Sequence, residues 1–240
     1  MLSNRLETEV TPEDVLAYIA GVVSHHAYTE RFAEELRTRG IRVPLTADPL
    51  LWKEAVHLGR TVLWLHTYGE RFTNPADGRP EGPPRVPGDR RPQVTATIPD
   101  TEDGMPRDIS YDSATQTLRL GTGRIRPVAQ QVWNYEVSGM KVVQRWFDYR
   151  KKKPRIRWSS PLDDDHSLRW LPSFTSELLD LLNVLGFCTG LEPRQADILD
   201  RVCGGQLITV ADLERARVLP VPARATRPPT LEHPNSSMLF

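Results

Sequence analysis

Two cysteines in 240 residues, Cys188 and Cys203, are too few for a disulfide framework and cannot by themselves assemble a metal set. Neither sign of charge predominates. The 31 Lys and Arg residues balance 31 Asp and Glu residues, giving zero formal net charge and a pI near 7.0. A uniformly basic nucleic-acid binder is thereby excluded, and any such activity must sit in a local patch. Long apolar runs are missing too. The stretch from Leu178 to Phe187 is too short and interrupted for a bilayer, which takes about 20 residues. The opening Met1-Leu2-Ser3-Asn4-Arg5-Leu6-Glu7 has none of the apolar core that an export signal carries. The expectation is a soluble cytoplasmic protein with no membrane partner.

Proline is abundant instead, at 21 residues, and its distribution matters more than its total. Eight prolines fall between Pro75 and Pro106, mixed with Gly78, Gly82, Gly88 and Gly104. Proline removes a backbone donor and fixes φ, so this stretch is no helix interior or central strand. Residues 73–107 read as a linker or long exposed loop. A second cluster, Pro220, Pro222, Pro228, Pro229 and Pro234, marks 220–240 as a disordered tail. Two ordered blocks remain, 10–72 and 108–219, with no internal repeat.

The first block is helical. Thr11-Pro12-Glu13-Asp14 supplies an N-cap hydroxyl, a proline at the first helical position and carboxylates in the first turn. Val15, Ile19, Val22 and Val23 recur at helical spacing behind it. A second helix is predicted over 27–39, burying Tyr28, Phe32 and Leu36 and ending at Gly40. Asp48-Pro49 starts a third, which carries Leu51, Trp52, Ala55 and Val56 toward Gly69. Together they predict a small bundle.

The second block opens with a hairpin, Asp108-Ile109-Ser110-Tyr111 and Thr117-Leu118-Arg119-Leu120 around a turn at 112–116. Helices are expected at 128–133 and 140–149. Ser173 to Glu177 caps another with Leu178, Leu181, Leu182 and Leu185 on its buried stripe. Glu192-Pro193 is expected to start a separate helix ending at Gly204-Gly205, and Thr209-Val210-Ala211-Asp212 is a capping box for a last one. The fold class expected is α+β: mainly helical with a small β-hairpin or sheet, a Pro-rich linker and a disordered C-terminal tail.

The residues offer little catalytic chemistry. No phosphate-cradling glycine motif is present, and Gly121-Thr122-Gly123 reads as a turn. Asn74-Pro75-Ala76-Asp77 matches the catalytic loop of adenine methyltransferases only in its first two residues and also reads as a turn. His25 and His26 are adjacent and point to different sides, while His57 and His66 lie on different faces, so no metal site is expected. Asp163-Asp164-Asp165-His166 reads as a capping loop, and the two cysteines read as core residues. No cofactor and no active site are expected.

One segment stands apart. From Lys141 to Arg157, eight basic residues (Lys141, Arg145, Arg150, Lys151, Lys152, Lys153, Arg155 and Arg157) face the single acid Asp148, a local charge of +7. Trp146, Phe147, Tyr149 and Trp158 interleave with them. Lys141 and Arg145, four apart, are expected to share one helix face. Cations near a helix C-terminus also serve the dipole, but four in a row repel one another and exceed that need. The pattern matches the electrostatic footprint of phosphate contact, although a solvated helix end or an acidic protein partner fits it too. Guanine contacts are expected from Arg124, Arg126, Arg155 or Arg157.

The first block also resembles a known family. Tyr18-Ile19-Ala20-Gly21-Val22, running through His25 and Tyr28 to Arg31-Phe32-Ala33 and Leu36 and followed by Val43-Pro44, is similar to a signature near the C-terminus of Type ISP restriction–modification enzymes. The resemblance continues through Leu58-Gly59-Arg60-Thr61-Val62-Leu63-Trp64-Leu65-His66. It resumes at Tyr135-Glu136-Val137-Ser138-Gly139, ahead of the basic segment, and covers about 12–215. Those enzymes join a nuclease, an ATPase, an adenine-N6 methyltransferase and a target-recognition domain in one polypeptide. The resemblance implies a noncatalytic module that grips duplex DNA for a methyltransferase. The alternative is a scaffold without DNA affinity of its own, docking a separately encoded methyltransferase or ATPase chain through Glu30, Glu34 and Glu35; a separate methyltransferase or restriction subunit is the protein partner expected.

Overall fold

The computed structural model describes residues 1–38, 40–151 and 169–221. Its first half holds α1 (Leu2–Arg5), α2 (Pro12–Val23), α3 (His26–Arg31) and α4 (Pro49–His66). Local chemistry sets where the longer two begin. Thr11 and Asp14 cap each other's backbone amides at 3.1 Å ahead of Pro12, and Asp48 accepts from the Leu50 and Leu51 amides ahead of Pro49. α2 then crosses α4 backbone to backbone. A Cβ on Gly59 would lie 1.6 Å from the Ala17 carbonyl oxygen, so only glycine fits there. Tyr18 stacks on Trp52 with ring centroids 4.3 Å apart. Its hydroxyl donates to the Pro44 carbonyl at 2.8 Å and accepts from the Thr46 amide at 3.1 Å.

The helix expected over 27–39 is shorter than its periodicity implied. α3 ends at Arg31 and a 3-10 turn follows at Glu35–Arg37. The bend lets Arg31 pair with Asp200 at 2.6 Å while Phe32 and Leu36 still reach the helical core.

The second half is built on an antiparallel four-stranded sheet in the order β1 (Gln93–Ala96), β4 (Gly123–Arg126), β3 (Thr117–Leu120) and β2 (Ile109–Asp112). The β2–β3 hairpin expected from the sequence is present, with Ile109 opposite Leu120 and Asp112 opposite Thr117. Asp112 accepts from the Ala114 and Thr115 amides to close the turn. Gly121, with φ of 55°, turns the chain into β4. After α5 (Gln130–Asn134) comes a two-stranded hairpin, β5 (Glu136–Val137) and β6 (Met140–Lys141). It leads straight into α6 (Val142–Asp148). Leu118, Leu120 and Ile125 pack under the sheet with Val132, Val143, Phe147 and Trp170.

Residues 73–107 are more structured than a linker. They contribute β1, which pairs only with β4 and so occupies a sheet edge, the one strand position that nearby prolines permit. Ile98 and Met105 are buried in the sheet core. Carbonyls survive where proline amides are lost: the Pro80 carbonyl accepts from the Trp64 indole at 2.8 Å. The buried Val86 amide donates to Asn183 at 2.8 Å, strapping the segment to the longest helix.

That helix, α7 (Pro172–Gly204), is one element where two were expected. A proline in a helix interior costs roughly 3 kcal/mol, and α7 nevertheless runs through Pro193 because both its halves are buried. Leu178, Leu181, Leu182 and Leu185 enter the sheet core, and Ile198, Leu199 and Val202 enter the helical core. By length and composition α7 is apolar enough to cross a bilayer, yet these side chains are the ones the protein's own cores cover. α8 (Val210–Arg215) follows, started by the Thr209–Asp212 capping box.

Candidate nucleic-acid interface

Strand alternation decides which way the sheet's arginines face. In β4, Gly123 and Ile125 are buried while Arg124 and Arg126 are exposed; in β3, Arg119 is exposed between Leu118 and Leu120. The face turned away from the core therefore carries Arg119, Arg124 and Arg126, with Ser110 opposite Arg119 on one side and Gln93 opposite Arg126 on the other. Arg119 and Arg124 are direct cross-strand partners. Like charges in that register cost stability. Asp112 offsets one of them, bonding the Arg119 guanidinium at 3.0 Å. Hydrogen bonds from Thr115, with Arg119 adding to them, hold the Asp112 carboxyl below its ordinary range. Arg124 and Arg126 have no carboxylate partner among the described residues.

Arg119 was missed in the sequence, although its signal was present. Leu118-Arg119-Leu120 and Gly123-Arg124-Ile125-Arg126 alternate at period two, which puts all three arginines on one face.

The basic segment divides into groups with different environments. Lys141 lies in β6 and at the N-cap of α6, so it does not share a helix with Arg145. A cation at that end opposes the helix dipole, so capping does not account for it. Arg145 is exposed, stacks 4.6 Å over the Tyr149 ring and donates to its hydroxyl at 2.9 Å. Arg150 is engaged within the protein: it lies 4.1 Å over the Trp146 ring, donates to the Trp146 carbonyl and pairs with Glu177 at 2.8 Å. Lys151 pairs with Asp148 at 2.7 Å. Lys152, Lys153, Arg155 and Arg157 lie outside the described residues, as does the acidic run at 163–166. The structure thus gathers Arg124 and Arg126 on the sheet face and sets Lys141 and Arg145 around the start of α6. It ties Arg150 and Lys151 to neighbouring acids.

The cavity beside α6 has the wrong charge for a phosphate. At about 650 Å³, it is lined by Glu70, Glu81, Glu177 and Asp180 against the single guanidinium of Arg150. His25 is buried with its Nε2 2.9 Å from the Val22 carbonyl, and burial lowers its pKa; His26 is exposed and pairs with Glu30. Among the described residues no three His, Cys, Asp or Glu side chains converge to hold a metal ion. Burial, reinforced by Glu192, pushes the Cys188 thiol up to about 12, which keeps it a thiol and no nucleophile near neutrality. Of the acids on the first block's surface, Glu34 pairs with Arg37 at 3.0 Å, so it and Glu30 are both locally satisfied.

Comparison with known proteins agrees with this architecture. A solved structure described as the DrdV–DNA complex, determined by cryo-EM, matches with a TM-score of 0.53 and 17% identity over 83% of this chain. A nuclease-deletion mutant of the Type ISP restriction-modification enzyme LlaGI, in complex with a DNA substrate mimic, matches with a TM-score of 0.49 and 16% identity over 80%. This chain spans 19% and 14% of the lengths of those two. No curated protein matches it. Residues 2–181 match the family model described as the Type ISP C-terminal specificity domain, and with most of its 240 residues covered the chain belongs to that family.

Proposed function

We propose that this chain is a noncatalytic target-recognition module of a Type ISP-like restriction–modification system, holding duplex DNA for a methyltransferase. The observation that carries the reading is the outward sheet face, where Arg124 and Arg126 stand exposed with no carboxylate partner among the described residues and Arg119 opposes Arg124. A fold does not keep like charges in register for its own stability. An arginine fork matches a guanine edge or a phosphate, and good bidentate base contacts are worth about 1–3 kcal/mol in discrimination. Lys141 and Arg145 supply further cations, with Lys152, Lys153, Arg155 and Arg157 following in sequence. Membership of the specificity-domain family and DNA in both solved neighbours named above support the same reading.

The test is fluorescence anisotropy of the chain against a random duplex pool at two salt concentrations. Binding that weakens with a log–log slope of about −0.9 per phosphate contact is the expected result. Absence of binding at low salt overturns the reading.

A further inference from the structure

The β5–β6 hairpin has a feature that the arginine face does not explain. Ser138 and Gly139 at its tip both have positive φ, 51° and 77°, the tight primed turn that joins two twisted strands. All six residues from Glu136 to Lys141 are exposed. Val137 and Met140, cross-strand partners beside the turn, are 52% and 49% exposed, although both are apolar. Glu136 and Lys141 form the next pair and face the other side of the ribbon. The stem is firmly held. Val142 donates its amide to the Tyr135 carbonyl at 3.0 Å, and Tyr135, Val142 and Val143 pack in or against the sheet core.

The geometry points to this hairpin as a DNA-reading element that enters the major groove and contacts thymine methyl groups through Val137 and Met140. The inference rests on the DNA-binding reading above and deepens it. A major groove about 12 Å wide admits a two-stranded ribbon, whereas a minor groove of about 6 Å does not without deformation. Val137 and Met140 carry no strong donors or acceptors, so they do not read base edges by hydrogen bonds; at the turn only the Ser138 hydroxyl could. Among major-groove features, the thymine C5 methyl is the one an apolar side chain recognises. Lys141, on the opposite ribbon face, and Arg145, one turn into α6, supply cations for phosphates beside the groove. Glu136 sits across from Lys141 and offsets part of that charge.

The experiment uses a duplex enriched by the full chain from a random pool, synthesised with thymine or with uracil, which differ only in the methyl. Wild-type protein is expected to bind the thymine duplex more tightly, by roughly fourfold for each methyl contact. A Val137→Ala/Met140→Ala variant is expected to bind both duplexes equally while keeping the wild-type salt slope. Val137→Ser/Met140→Gln, which replaces both apolar surfaces with polar ones, should lose the preference as well. Equal thymine-to-uracil ratios in wild type and variants overturn the hairpin's role and leave DNA binding standing. If no duplex is enriched, both readings fall. A hairpin variant that loses a methyltransferase chain in co-purification, with DNA binding unchanged, makes the ribbon a protein contact and overturns the proposal.

Discussion

In the helical half Arg60 closes on Asp14 at 2.5 Å, Arg31 on Asp200 at 2.6 Å and Arg201 on Glu54 at 2.8 Å, whereas in the sheet half Arg124 and Arg126 meet no carboxylate among the described residues. Each helical pair links two elements: Arg60 on α4 reaches the start of α2, and α7 is tied to α3 and α4. Partly exposed pairs of this kind contribute about 0.2–1 kcal/mol each, so their use is to fix orientation as much as to add stability. The sheet half is ordered mainly by a compact core and, although Arg119, Arg150 and Lys151 pair with Asp112, Glu177 and Asp148, it leaves Arg124 and Arg126 to solvent. One half holds the shape, and the other presents charge from it.

That contrast breaks most severely at the helix crossing. Gly59→Ala would place a methyl 1.6 Å from the Ala17 carbonyl oxygen, and the neighbouring atoms are backbone, which cannot give way cheaply. A loss of about 3 kcal/mol is expected, at the upper end for overpacking. Because α7 belongs to both cores, denaturation followed by circular dichroism should show one transition moved to lower denaturant, and hydrogen exchange should report loss of protection in both halves. Two separate transitions would mean that the halves are independent.

A smaller effect tests whether the basic segment is uniform. Arg150 spends its charge on Glu177 and its flat face on Trp146. Arg150→Ala is therefore expected to cost about 1 kcal/mol of stability, from the ring contact and the partly exposed pair together. The salt slope of DNA binding should not change. A slope reduced by about 0.9 would show Arg150 on a phosphate.

Acid should weaken the helical half selectively. Burial lowers the pKa of His25 below its ordinary 6.5, and His25 lies at the junction of α2 and α3. Below that value the unfolded chain takes up protons that the folded chain refuses. Stability is thus full above about pH 6.5 and declines as the pH falls below it. Thermal unfolding between about pH 7.5 and pH 5.5 should show the decline, with much of it removed in His25→Gln. A flat profile would mean that the His25 ring is not held neutral by burial.

Much of this was legible locally. The caps at Thr11, Asp48 and Thr209 depend on residues three apart, and the β2–β3 hairpin needs only its own turn. The resemblance to the family was carried by residues of α2–α4, including Gly21 and Gly59 at the crossing, and by the Tyr135–Gly139 stretch. Other features were settled at a distance. β1 was obscured because its partner β4 lies some thirty residues onward, and the prolines around it carry no mark of an edge. Pro193 read as a helix start because the burial that sustains α7 comes from chain far away. In the site, the alternation that puts Arg119, Arg124 and Arg126 on one face was present in the sequence, while Arg150 read as available although Glu177, 27 residues later, pairs with it. Sequence runs therefore overstate an interface: a charge count cannot tell a cation offered to solvent from one consumed at home.

The smallest expected effect on the fold is the sharpest test of that distinction. Arg124→Ala with Arg126→Ala removes two exposed side chains that pair with no described acid and relieves the register clash between Arg124 and Arg119. Stability should stay within about 0.5 kcal/mol of wild type, as for surface substitutions that break no contact. Duplex affinity should nevertheless fall, and how it falls identifies the contact. Uniform weakening across sequences, with the salt slope reduced by about 0.9 per arginine, assigns the pair to phosphates. Weakening confined to guanine-containing sites, with the slope nearly intact, assigns it to base edges. Unchanged affinity for every duplex would remove the sheet face from the interface and shift the binding charge to Lys141 and Arg145.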